Sequence, residues 1–153
     1  MRLSAAVLWL HVLCGVAWVG AAAAFALAAA ALAGQQRELR DFALRVAPRL
    51  NRLCLGVAVL IPLTGAANLG FALAHRGRLP PAFLRIVGIK LGLFTLMAVV
   101  LWRAIERTAG VASRVSETAN DGAAGVGRLV RLYGLMAAIG GVALLMGLWL
   151  AGV

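Results

Sequence analysis

The sequence predicts an all-α, integral membrane four-helix up-down bundle, and three observations predict it. Hydrophobic residues make up 63% of the chain and charged residues only 13%, far from the balance of a water-soluble domain. The apolar residues gather into four runs, about 4–33, 53–74, 83–102 and 132–152, each long enough to cross a bilayer as a helix of roughly 20 residues. The links between them are short and rich in arginine, so successive spans alternate in direction. At 153 residues, the chain is read as one transmembrane domain, 1–153, with no room for a separate soluble catalytic module.

The first run is interrupted only by Ser4, His11 and glycines. At about thirty residues it exceeds the 7–15 of a cleaved signal, so it reads as a retained span, and Gly34 after it suits a helix C-cap. From 35 to 52 the chain is polar, but Leu39, Phe42, Val46, Leu50 and Leu53 recur at helical spacing among arginines. This pattern predicts an interfacial helix leading into the second span. Inside that span Pro62 frees a backbone carbonyl, and Thr64, Gly65 and Asn68 form a local polar patch of the kind that joins membrane helices. His75 to Pro81 is a turn, with His75 solvated.

The third span carries Lys90, the only lysine in the chain, and Arg103, Glu106 and Arg107 continue its helix into water. Ser113 to Gly127, with Asn120-Asp121-Gly122, reads as a mobile loop. In the fourth span Gly134/Gly141 and Gly140/Gly147 each repeat at seven, giving smooth faces for close contact. Cys14 and Cys54 fall in different helices and read as small hydrophobes at a helix interface, not as a disulfide.

Charge fixes the orientation and excludes some functions. The formal net charge is +10, from fourteen arginines and Lys90 against five acids. Ten arginines belong to the first and third links, and four to the opposite side (Arg2, Arg76, Arg78 and Arg85). This asymmetry predicts a bacterial inner (plasma) membrane protein with both termini periplasmic. Anionic lipid headgroups of the bilayer account for the basic residues, and no basic stripe interleaved with aromatics suggests nucleic acid. All five acids lie outside the apolar runs, and no Ser/His/Asp triad or phosphate loop exists, so hydrolytic chemistry is unsupported. The Gly-rich fourth span and the small chain suit a homo-oligomer or a non-catalytic small subunit of a larger membrane complex.

Two ionisable residues sit where lipid makes them costly: His11 and Lys90. Counting about 1.5 Å per residue, His11, Thr64, Asn68, Lys90 and Met146 all fall roughly 7–10 Å below one surface. Alternating spans bring them to one face in either orientation, which predicts a polar site shared between the helices. His11 shares a stripe with Ser4, Cys14, Gly15, Trp18 and Ala22. Gly15 would leave a groove beside the imidazole and Trp18 an aromatic wall, as a planar macrocycle with iron ligated by histidine requires. The alternatives at this point are an imidazole hydrogen-bonded to Asn68 or Thr64, and a Lys90 that snorkels to the interface. A neutral Lys90 amine would serve as a second axial ligand; a charged one would pair with a haem propionate. Copper would draw instead on His11, Cys14, Met97, Met136 and Met146.

The segment Leu10-His11-Val12-Leu13-Cys14-Gly15-Val16-Ala17-Trp18-Val19-Gly20 resembles the first-helix motif of CopD-like membrane proteins: a histidine, a small residue, then Trp-x-Gly. Leu63-Thr64-Gly65 and Lys90-Leu91 resemble that family's second and third helices. The wider group includes the HemJ-type protoporphyrinogen oxidases, four-helix proteins whose intramembrane histidine and lysine are tied to haem b. The resemblance covers about residues 8–102 and implies a four-helix bundle, haem b as cofactor and a redox or electron-transfer role. On it, His11 and Lys90 are the iron-linked positions, with copper uptake or copper resistance as the alternative.

Overall fold

The computed structural model describes residues 3–32, 34–113 and 119–151, with side chains described for 3–32, 34–110 and 125–147. Four helices account for them: α1 Leu3–Ala31, α2 Gln36–Arg76, α3 Pro81–Ser113 and α4 Ala119–Ala151. Each contains a segment long and apolar enough to cross a membrane. Packing runs mainly between α1 and α2, α1 and α4, and α3 and α4, with a lighter α2–α3 seam closing the ring. The result is the expected up-down bundle, with the start of α1, the end of α4 and the α2–α3 turn at one end.

The sequence periodicity explains which face of each helix turns inward. In α1 the buried residues are Cys14, Trp18, Ala22, Phe25 and Ala29, spaced by three or four. In α3 Met97, Val100, Leu101, Ala104 and Thr108 form the matching stripe; in α4 it is Val126, Leu129, Tyr133, Met136 and Ile139. The opposite faces are equally apolar, with Leu13, Leu27, Leu63, Leu91, Val99 and Leu145 exposed. A helix that is hydrophobic all round needs lipid outside as well as protein inside.

Close approach depends on two of the fourth-span glycines. A Cβ on Gly140 would enter the space of Val19 Cγ2 and stand 3.0 Å from Met97 Cε, while one on Gly147 would stand 3.0 Å from Lys90 Nζ. Gly134 and Gly141 face open space. The two seven-residue repeats therefore differ: one lets helices meet, and the other does not.

Two elements depart from expectation. The arginine-rich stretch is not a separate interfacial helix but the first part of α2, which runs unbroken for 41 residues through Pro48 and Pro62. Ala43, Ala47 and Asn51 on this stretch are buried in the bundle, and that packing holds it upright instead of flat on the membrane surface. The stretch expected as a mobile loop is largely helical, because α4 starts at Ala119; residues 114–118 of that expectation lie outside the described residues. Gly34 adopts φ +98°, the left-handed conformation that glycine takes freely, just beyond α1. Cys14 and Cys54 are free and buried.

Candidate functional site

The buried core stops abruptly toward the termini-bearing end. Its last members are Cys14, Thr64, Met97 and Gly140, and no described residue of 3–13, 65–96 or 141–147 is buried. The less buried end above this packed floor is the mouth of the bundle. Continuing each inward stripe by one or two turns beyond that floor gives His11 on α1, Asn68 on α2, Lys90 on α3 and Gly147 on α4. All four are partly buried.

His11 is hydrogen-bonded across to α2 at Thr64, as the alternative to a macrocycle site expected. Its Nδ1 lies 2.9 Å from Thr64 Oγ1 and 3.1 Å from the Ile61 carbonyl. The Thr64 hydroxyl itself donates to the Leu60 carbonyl at 2.7 Å, so its oxygen is left to accept. The Ile61 carbonyl can only accept. Both partners therefore require the proton on Nδ1, which leaves Nε2 with its lone pair and no hydrogen bond among the described residues. A metal-ligating histidine is commonly oriented this way, with one ring nitrogen tied to a carbonyl and the other directed at the metal.

Gly65 makes the arrangement possible. A Cβ there would stand 3.2 Å from His11 Cε1, so the imidazole lies against bare backbone. Gly65→Val is expected to displace the ring from Thr64, which a change in the ¹⁵N shifts of the His11 imidazole would register. Gly70→Val, whose Cβ meets nothing within 4 Å, is expected to leave those shifts unchanged.

Lys90 is on the same stripe as Met97 and Leu101 and turns toward α4, its Nζ 3.0 Å from where a Cβ on Gly147 would stand. Asn68 Nδ2 and Trp18 Nε1 are buried donors with no hydrogen-bond partner, and Trp18 is 0% exposed beneath the mouth, edge-on to Phe94 at 6.0 Å. One site residue is used differently from expectation. The groove expected at Gly15 is closed by Leu144, whose Cδ2 lies 3.2 Å from where a Cβ on Gly15 would be. Gly15 thus serves helix packing and does not line an opening. His75 is exposed and bonds only the Phe71 carbonyl, at 2.9 Å.

No group of three or more His, Cys, Asp or Glu side chains gathers among the described residues. A haem needs only one or two protein ligands, because the macrocycle supplies the rest. The donor set is thus compatible with haem.

A second polar cluster, at the arginine-rich end, carries no sequence signal that would bring its members together. Tyr133 OH donates to Asn51 Oδ1 at 2.5 Å, Asn51 Nδ2 donates to Thr108 Oγ1 at 3.1 Å, and the Thr108 hydroxyl donates to the Ala104 carbonyl at 2.7 Å. All three side chains are buried. These bonds run from one side chain to the next, so the cluster is a clasp between α2, α3 and α4. Comparison with known proteins adds no assignment: no family model matches this chain, and no curated protein or solved structure matches it.

Proposed function

We propose that this protein binds a b-type haem in the membrane and serves a redox or electron-transfer role, with His11 Nε2 as an axial ligand. The observation that carries the reading is the anchoring of His11 Nδ1 by Thr64 and Ile61, which leaves Nε2 without a hydrogen bond among the described residues. The bound iron would supply one-electron chemistry. The chain's own part is to fix the ring through Thr64 and to give it room through Gly65; the Lys90 amine would serve as a second ligand or as a propionate partner. Trp18 and the packed floor below exclude water from the arginine-rich side. The arginine asymmetry supports a bacterial inner membrane with the mouth on the periplasmic side.

Protein purified from haem-replete cells is expected to show a Soret band that is lost in His11→Ala and retained in His75→Ala. A colourless wild-type preparation would overturn the proposal. Metal analysis of the same sample separates it from copper, which would appear as stoichiometric metal without a Soret band.

A further inference from the structure

The mouth is rich in hydrogen-bond donors and has no acid. No Asp or Glu occurs in the described stretches that form it, 3–13, 65–92 and 141–147. Lys90 makes no hydrogen bond or ion pair with a described residue; the one ion pair among them, Arg103 with Glu106, is at the other end. The Asn68 amide nitrogen is buried without an acceptor, and beneath it the Trp18 indole N–H is in the same state. A cation inside a membrane protein ordinarily faces a counter-charge, and a buried donor ordinarily has an acceptor. Here the Lys90 amine on α3 and the Asn68 amide on the adjacent α2 both lack one among the described residues.

We propose that Lys90 and Asn68 receive the anionic oxygen group, carboxylate or phosphate, of a membrane amphiphile whose apolar part stays in the lipid. Asn68 belongs to α2 and Lys90 to α3, the adjacent pair with the lightest packing, so the bilayer side of that seam is the entry. Gly147 supports the arrangement by letting the amine lie against the α4 backbone. The head group gains charge-assisted hydrogen bonds in a setting where water competes poorly. The inference rests on the mouth being a ligand site, as the preceding proposal does, but does not require iron. A fatty acid, an acidic phospholipid and a haem propionate present the same chemistry.

Native mass spectrometry of the detergent-solubilised full chain distinguishes these sources by mass. Oleate and phosphatidic acid are offered in turn, with methyl oleate as the uncharged control, and the Soret band is read on the same sample. The wild type is expected to hold one oleate or phosphatidic acid and to reject methyl oleate. A haem adduct that excludes oleate would identify the propionate as the source. Lys90→Met is expected to bind oleate roughly tenfold more weakly or worse, and Lys90→Arg to retain it. Equal retention of oleate and methyl oleate by the wild type would overturn the inference whatever the variants do, as would unchanged oleate binding by Lys90→Met. Neither result would touch the assignment of His11, which the Soret band decides alone.

Discussion

Replacing Gly140 with valine is expected to drive α1 away from α4 and to destabilise the bundle by about 1–3 kcal/mol. The new Cβ would overlap Val19 Cγ2 and press on Met97 Cε at 3.0 Å. Met97 can yield, because its thioether is flexible. Val19 cannot swing aside cheaply, since a β-branched side chain in a helix has one strongly preferred rotamer. The strain therefore passes to the backbones. Gly141→Ala is the matched control: its Cβ meets nothing within 4 Å, and an effect within about 0.5 kcal/mol is expected. Unfolding midpoints in detergent, followed by circular dichroism, compare the two. Equal midpoints for Gly140→Val and wild type would mean that α1 and α4 are not in close contact there.

The second large effect is expected at Asn51. This buried amide bridges Tyr133 and Thr108, so Asn51→Ala removes two hydrogen bonds, strands a buried phenol and leaves a small void. Hydrogen bonds between membrane helices contribute about 0.6 kcal/mol on average and up to about 1.7 each. With the cavity added, a loss of about 2–3 kcal/mol is expected. Tyr133→Phe deletes one of the two bonds and keeps the contact with the Phe25 ring at 4.3 Å, so it is expected to cost about 1 kcal/mol. The order of the two variants in one unfolding series is the measurement; a larger loss for Tyr133→Phe would show that Asn51 is not the hub.

Hydropathy made the spans legible, because lipid imposes one requirement on every residue of a crossing helix. Depth was legible for the same reason: counting turns put His11 and Thr64 at one level, and the structure joins them by a hydrogen bond. Rotation about the helix axis was harder to read. Both faces of a membrane helix are apolar, so nothing in the sequence shows that Leu144 rather than a ligand fills the space at Gly15. The clasp was hidden by the same ambiguity. Asn51 lies between Arg49 and Arg52, and Thr108 follows Arg107, so charged neighbours surround both in the sequence. Helix packing turns them inward instead. The continuity of α2 was obscured by Pro48 and by the fall in hydropathy, neither of which ends a helix that Ala43 and Ala47 pack into the bundle.

The unbroken course of α2 ties the two faces of the membrane mechanically. At about 1.5 Å per residue its 41 residues form a rod of roughly 60 Å, with Arg37 and Arg40 near one tip, Asn51 gripped midway and Thr64 further along. A twist or tilt applied to the basic tip by a neighbouring molecule or a change in surface potential has no loop in which to dissipate. The rod's weaker joints include Pro48 and Pro62, the second of them two residues before the threonine that steadies the imidazole. A stimulus on one side of the bilayer thus has a direct lever on a ring near the other.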